Sequence, residues 1–271
     1  MHHNGAIHMS RIEIDYDKCV KDRFCIRACP YKLFADSGDG SPVLVENAED
    51  LCIDCGHCLA VCPFGAIALN GVHQEELPDR APSLDPSPES VEQLFTFRRS
   101  IRAYKKTPVE RELLVKLAEI ARFAPSAVNN QPVHWIMVDS KDVLTQIVSH
   151  TAAFMREQGV LPRLAEALDN GMDLILRDAP ALAVAHAPSS ALSPQVDCVI
   201  AATTMELAAA SHGLGACWAG LLMRSANDCA PIRELLRLPE DHNAYAALML
   251  GYPKLQYAKR PPRTPARITW I

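Results

Sequence analysis

Residues 52–63 read Cys52-Ile-Asp-Cys55-Gly-His-Cys58-Leu-Ala-Val-Cys62-Pro63. Cysteine at every third position, a fourth after three more residues and a proline behind it make the C-x2-C-x2-C-x3-C-P run of iron–sulfur ligation. Thiolates at this spacing wrap three corners of an iron–sulfur cube within one tight loop. The fourth, at the start of the next element, points toward a second cube. A structural zinc site is the alternative reading. Zinc ordinarily takes two C-x2-C knuckles a dozen or more residues apart, and three thiolates this close crowd a tetrahedral ion.

A second set precedes the first: Cys19-Val-Lys-Asp22-Arg-Phe-Cys25-Ile-Arg-Ala-Cys29-Pro30. Cys19 and Cys52 lie 33 positions apart, and the two runs superpose with aspartate in place of the second cysteine. In such a repeat each copy donates its last cysteine across to the other cluster. Arg11–Asp15 alternates as a short strand, and Ala66–Leu69 reads as its partner.

Residues 11–73 therefore resemble a two-cluster bacterial ferredoxin. The resemblance implies that Cys29, Cys52, Cys55 and Cys58 hold one [4Fe–4S] cluster. Cys19, Cys25 and Cys62 would hold the other, with Asp22 where a thiolate is expected. Carboxylate is a harder ligand than thiolate, so the second cluster would be [3Fe–4S] or an Asp-ligated [4Fe–4S] with labile iron. A degenerate site that no longer holds a cluster is the other reading of Asp22.

Seven of the ten cysteines fall in these two runs. Cys198, Cys217 and Cys229 lie apart in apolar surroundings and read as small buried hydrophobes. This usage points to a reducing compartment. The first ten residues, an N-terminal extension with three histidines, carry no signal-peptide core. No apolar run approaches the ~20 residues that cross a bilayer, so a cytoplasmic, membrane-free protein is expected. With 27 basic against 32 acidic residues, there is no electrostatic footprint for nucleic acid or a membrane surface.

Residues 74–90 contain Pro78, Pro82, Pro86 and Pro88 without apolar periodicity and read as a semi-extended linker. From 91 onward longer elements follow: a helix over 91–98, then Thr107–Glu110 as a capping box with Pro108 at the first helical position. That box would open a helix with Leu113, Leu114, Leu117, Ile120 and Ala121 on one face. A loop at 124–132, a strand at 133–139, helices through 141–177 and a buried strand at 181–186 come next. A mostly apolar helix spans 195–212 and stops at Gly213. A short helix at 231–236, a strand at 244–250 and an edge strand at 266–271 complete the chain. Irregular alternation of this kind favours an α+β layered fold. His134 and His212, in apolar stretches, read as satisfied structural residues, and Trp218 reads as core.

Four segments carry a second resemblance: Arg98-Arg99-Ser100-Ile101-Arg102, Ala124-Pro125-Ser126…Asn129…Gln131-Pro132, Gly213-Leu214-Gly215…Trp218…Gly220 and Gly251-Tyr252-Pro253…Arg263. Together they are similar to the nitroreductase family of FMN enzymes, over residues 91–271. The resemblance implies an α/β/α layered FMN domain and a homodimer with flavin sites at its interface, the 195–212 helix in the dimer core. FMN carries a dianionic phosphate, which guanidinium groups bind bidentately. Arg98 and Ser100 are the implied phosphate or ribityl contacts, and Arg260 and Arg263 close the same anion. Arg99 is either a contact or a solvated helix end. Arg102 falls beside the pyrimidine ring. Pro125, Ser126, Asn129 and Gln131 border the isoalloxazine, typically from the partner subunit, and Gly220, Leu221 and Leu222 pass near flavin N5.

No G-x-G-x-x-G follows a strand, so no separate nicotinamide module is visible. The combination implies an iron–sulfur flavoprotein oxidoreductase. Electrons from a low-potential donor such as a ferredoxin, or from NAD(P)H, would pass through the clusters to FMN and on to a small organic acceptor: a nitro, quinone or conjugated compound. No dedicated catalytic side chain is expected, because the chemistry rests with the flavin. The rivals are a flavin-fragmenting or dehalogenating branch of the family and a non-catalytic redox carrier or sensor.

Overall fold

In the computed structural model, which describes the backbone of residues 11–159 and 162–271 and all their side chains except those of 162–165, the chain divides between Asp85 and Pro86 into two units. The first contains β1 (Ile12–Ile14), α1 (Phe24–Ala28), β2 (Phe34–Asp36), β3 (Pro42–Leu44), α2 (Ala48–Leu51), α3 (His57–Val61) and β4 (Ile67–Leu69). β1 and β4 pair antiparallel, with Ile12 opposite Leu69. β2 and β3 form a hairpin that periodicity alone did not mark. Asp36 Oδ1 holds its turn by accepting the Gly38 and Gly40 N–H groups at 2.9 Å each.

The sequence repeat is also a structural one. α1 and α3 are each entered through a left-handed residue, Arg23 at φ 64° and Gly56 at φ 69°. Each ends on its run's last cysteine, Cys29 or Cys62, in extended backbone. Helices of one turn have no stability of their own. These are held by a core of Ile12, Leu33, Phe34, Leu59 and Ile67 in which Cys25, Cys29, Cys58 and Cys62 are themselves buried. Arg11 fastens the Cys52–Cys55 loop to β1, donating to Asp54 Oδ1 at 2.9 Å and to the Glu49 carbonyl at 2.8 Å.

The proline-rich stretch is not a plain spacer. It makes 3-10 turns at Gln74–Glu76 and Pro82–Leu84. Gln74 donates to the Cys62 carbonyl, and Glu75 pairs with Lys18 at 3.1 Å. Its last residues already belong to the next helix.

The second unit contains α4 (Pro88–Phe97), α5 (Arg111–Ala121), β5 (His134–Val138), α6 (Lys141–Glu157), α7 (Pro162–Asp169), β6 (Ala181–Pro188), α8 (Pro194–Ser211), β7 (Gly215–Trp218), α9 (Ala230–Leu236) and β8 (His242–Gly251). The strands form one antiparallel sheet in the order β5-β6-β8-β7. Successive β6 residues face opposite sides. Ala181, Ala183, Ala185 and Ala187 pack with Leu117, Cys198, Ala202 and Met205 of α5 and α8. Leu182 and Val184 join Ile147 and Val148 of α6 and Ile232 of α9. Alanine on the α8 side brings that helix close to the strand. Cys198, Cys217 and Cys229 are buried in these two cores. Among the described residues no helix is long and apolar enough to cross a membrane.

Three expected elements differ. α5 starts at Arg111, so Thr107–Glu110 forms no capping box. The Glu110 carboxylate instead accepts the Tyr252 hydroxyl at 2.6 Å, tying the helix start to the end of β8. Beyond Asp169 the chain leaves the helical path. Asp173 Oδ1 accepts the N–H groups of Ile175 and Leu176 at 2.8 and 2.9 Å, and Oδ2 accepts that of Asp178 at 3.0 Å. Such local side-chain bonds compete with a helix, and Arg177 and Asp178 take φ values of 60° and 54°. The expected edge strand at 266–271 is absent, with Trp270 90% exposed.

His134, His186 and His242 come from the adjacent strands β5, β6 and β8, with ring centroids 4.9–5.4 Å apart. His134 is exposed, and the buried His212 Nε2 has no partner among the described residues, so His212 is not the satisfied residue its sequence suggested. The His186 and His242 Nδ1 atoms lie 2.8 Å apart, so one ring donates and the other accepts. Burial, then His242 and His134, push His186 down from 6.5 to about 4. An unfolded histidine takes its proton near pH 6.5, and this folded one resists until about 4. Stability should therefore be full above that window and fall as pH drops through it, by about 2–3 kcal/mol. Urea melts from pH 7 to pH 4 check this, and His186→Phe should flatten the slope.

Candidate iron–sulfur and flavin sites

Cys29, Cys52, Cys55 and Cys58 line one cavity, walled by Ile12, Leu33, Phe34 and Leu69. Three of these cysteines come from one repeat and one from the other. Burial pushes the Cys58 thiol up to about 11; the Leu59 N–H opposes this, while Cys52, Cys29 and Cys55 reinforce it. Burial likewise raises Cys25, opposed by the Ile26 N–H and reinforced by Cys19, Cys62 and Asp22. Each buried thiol thus has the other three members of one set as charged neighbours, and each set includes the last cysteine of the opposite repeat. Cys29 Sγ accepts the Leu33 N–H at 3.4 Å and Cys62 Sγ accepts that of Ala66 at 3.3 Å. N–H···S bonds of this kind tune cluster potentials. The thiols surround a space rather than a point: among the described residues no three His, Cys, Asp or Glu side chains are placed to share one metal ion. Soft donors around an apolar cage fit a cluster, whose cations would displace the thiol protons.

Asp22 also has local work. Its Oδ1 accepts the Phe24 N–H at 2.9 Å, starting α1, and its carbonyl accepts Arg27 Nη2 at 2.7 Å. An aspartate two residues before a short helix is the signal for this role.

The arginine-bearing segment after α4 is held against the sheet edge by two isolated bridges. Ser100 bridges Ala216 in parallel and Tyr104 bridges Pro253. Ile101 N–H donates to the Ala216 carbonyl at 2.9 Å, and the buried Tyr104 hydroxyl donates to the Ile101 carbonyl at 2.6 Å. Close approach requires glycine on β7: a Cβ on Gly215 would lie 2.5 Å from Ile101 Cγ1. Gly215→Ala should therefore displace this segment. We expect a loss of about 1–3 kcal/mol and weaker FMN retention, measured by urea melting and by flavin release on dilution.

The segment delivers Arg102 to a cavity of about 410 Å³, with apolar walls from Leu174, Ile175, Leu221 and Met249. Trp218 and Gly220 complete one side, and Arg177 and Arg224 add further positive charge. The volume lies in the range of about 300–1,000 Å³ usual for small-molecule sites. Apolar walls with a guanidinium group, that of Arg102, suit a flat, anionic cofactor, so the residues fit FMN. Arg102, Gly220 and Leu221 were foreseen here. Leu222, expected near the flavin only through its backbone, does not line the cavity, and its side chain is fully buried in the core. Trp218 packs against core residues yet also lines the cavity. Leu174, Ile175, Arg177 and Arg224 were not foreseen. The turn that carries the first three is set by Asp173, whose position before three N–H donors was the available clue.

Pro125, Ser126 and Gln131 line a second cavity of about 190 Å³ with Trp135 and Asp197, which shares no lining residue with the first. Ser126 Oγ accepts the Gln131 N–H at 2.9 Å. Asp197 Oδ1 accepts the Ala127 N–H at 3.0 Å, while its buried Oδ2 has no partner among the described residues. Asn129, at φ 54°, belongs to the same loop but does not line the cavity. Two of the phosphate candidates are held in separate ion pairs within the chain. Arg98 pairs with the buried Glu206 at 2.8 Å, and Arg260 pairs with Glu92 at 3.6 Å. Arg263 is exposed, while Arg99 and Ser100 are half-buried.

Comparison with known proteins matches residues 17–67 to the 4Fe-4S dicluster domain and residues 95–252 to the Nitroreductase family. An Archaeoglobus fulgidus protein provisionally named NADH dehydrogenase/NAD(P)H nitroreductase is 31% identical over 170 residues, covering 61% of this chain and 86% of its own. The FMN reductase (NAD(P)H) of Bacillus subtilis is 29% identical over 176 residues, 62% of this chain and 67% of its own. A nitroreductase from Bacteroides fragilis solved with bound FMN shares the fold, with a TM-score of 0.58 at 24% identity over 67% of this chain and 98% of that one. The cysteine repeat, the arginine-lined cavity and these matches lead to one assignment: the chain belongs to the nitroreductase family, as an FMN-dependent oxidoreductase with a 4Fe–4S dicluster domain ahead of its flavin domain.

Proposed function

We propose that this oxidoreductase takes electrons singly from a low-potential donor such as a ferredoxin, passes them through two clusters to FMN and delivers them to a small nitro, quinone or conjugated acceptor. The observation that carries the proposal is that one chain holds both paired thiol sets and a flavin-sized cationic cavity. Cys29, Cys52, Cys55 and Cys58 hold the first cluster. Cys19, Cys25 and Cys62 hold the second, with Asp22 as a weak fourth ligand. Bound FMN supplies the exchange between one-electron carriers and two-electron acceptors. Arg102 favours negative charge on whatever occupies the cavity, and Gly220, lacking a Cβ, admits close approach. Arg98, Arg99, Ser100, Arg260 and Arg263 hold the phosphate. NAD(P)H, named in both relatives above, is the alternative donor.

A homodimer completes the site in this reading, bringing the loop with Pro125, Ser126, Asn129 and Gln131 to the flavin. Three features support it: the separation of the two cavities, the unpartnered Asp197 Oδ2, and apolar side chains left open on α8 and the tail, Val196 and Trp270 among them. Sedimentation should give a dimer, and a monomer with full FMN content would contradict it. Anaerobic turnover of a nitroaromatic with reduced ferredoxin tests the activity. Oxygen-dependent loss of FMN in place of acceptor reduction would mark a flavin-fragmenting enzyme. Loaded protein without turnover would mark a carrier.

A further inference from the structure

Arg102, Arg177 and Arg224 surround one cavity, and no carboxylate is among the residues that line it. Among the described residues none of the three is in an ion pair, whereas Arg98, Arg111, Arg122 and Arg156 each hold an aspartate or glutamate. Like charges gathered around a space repel one another, and the arrangement is complementary to an arriving anion. Arg177 is placed there at a cost. Its φ of 60° is left-handed, a conformation disfavoured for a residue with a Cβ, and strain of this kind concentrates at functional sites. The three hydrogen bonds of Asp173 enforce it. Arg224 ends a 3-10 turn whose Leu222 is fully buried, so the turn is anchored in the core while the Arg224 side chain is exposed. Burial raises the Cys217 thiol and Glu206 reinforces this, while Arg102, Ser100 and Arg177 oppose it.

The flavin reading leaves two of these cations unassigned. Arg102 serves the pyrimidine end from the 98–102 segment that also carries the phosphate candidates Arg98, Arg99 and Ser100, and the others, Arg260 and Arg263, lie in the tail. We propose that Arg177 and Arg224 form an anion subsite that selects acceptors bearing a carboxylate or similar oxyanion. The proposal rests on the assignment of this cavity to the flavin.

The test uses holoenzyme loaded with clusters and FMN. Benzoate is titrated against the oxidised flavin spectrum in wild type, Arg177→Gln, Arg224→Gln and the double variant. The ratio of kcat/KM for 4-nitrobenzoate to that for its uncharged methyl ester is measured alongside. Loss of two charge-assisted contacts should weaken benzoate binding and lower that ratio by about 30-fold or more in the double variant. Added salt should weaken benzoate binding to wild type and hardly affect the double variant. FMN affinity, read from fluorescence on release, should change by less than about threefold, against the roughly 100-fold expected of a lost phosphate contact. Arg177→Lys with Arg224→Lys, which keeps the charges, should retain most of the discrimination. Unchanged benzoate affinity in a folded double variant overturns the subsite. So does FMN affinity falling in step with benzoate, which would assign both arginines to the cofactor phosphate. If neither nitro compound reacts, the acceptor reading fails, and the benzoate titration still decides the subsite.

Discussion

Cys29→Ala should strip the protein of the cluster whose other ligands lie in the opposite repeat. Cys29 shares its cavity with Cys52, Cys55 and Cys58, although Cys19 and Cys25 are its neighbours in sequence. Iron should fall by about four atoms per chain, and ferredoxin-driven acceptor reduction by at least about 100-fold, as expected when one carrier in a series is removed. Iron and sulfide analysis with electron paramagnetic resonance of the reduced protein reads this directly. The variant should keep the signal of the Cys19, Cys25 and Cys62 cluster. Loss of that signal with retention of the other would reverse the crossover. The complementary substitution, Asp22→Cys, should raise iron content or harden the second cluster against iron loss, since thiolate replaces a harder donor.

Arg98→Ala should produce the second large effect, on two properties at once. Arg98 donates one N–H to Glu206 at 2.8 Å, and a guanidinium has five such donors, so the same group can also hold a phosphate. Its removal takes away a charge-assisted contact and should weaken FMN binding by about 100-fold. It also leaves the Glu206 carboxylate buried and unpaired. Breaking a buried pair from one side costs 3–5 kcal/mol; with Arg98 28% exposed, about 2–3 kcal/mol is expected here. The double variant Arg98→Ala/Glu206→Ala should regain much of that stability and none of the FMN affinity. Urea melting and flavin fluorescence separate the two effects, and restored FMN affinity in the double variant would remove Arg98 from the cofactor site.

The cysteine sets were legible because cluster ligation is written in local spacing. A shift of 33 positions aligned Cys19, Asp22, Cys25 and Cys29 with their counterparts, and the fold retains that alignment in α1 and α3. The layered second unit was also legible, since the β6 and α8 segments are apolar enough to be buried whatever their neighbours. The capping box was not, because Glu110 is engaged by Tyr252, 142 positions away. The turn carrying Leu174, Ile175 and Arg177 escaped for a related reason: it depends on one aspartate overriding helical propensity. Asp197 is one of two acids, with Glu206, in an otherwise apolar helix, and only the fold shows that it anchors the loop through Ala127. Trp218 shows that core and site are not exclusive, because the residue packs against the core and also lines the cavity.

Rapid anaerobic mixing of the loaded enzyme with reduced ferredoxin, followed by absorbance, tests the electron route most directly. The clusters should bleach first and the flavin second, with acceptor reduction following the flavin. Flavin reduction at full rate by NAD(P)H while the clusters stay oxidised would contradict the account.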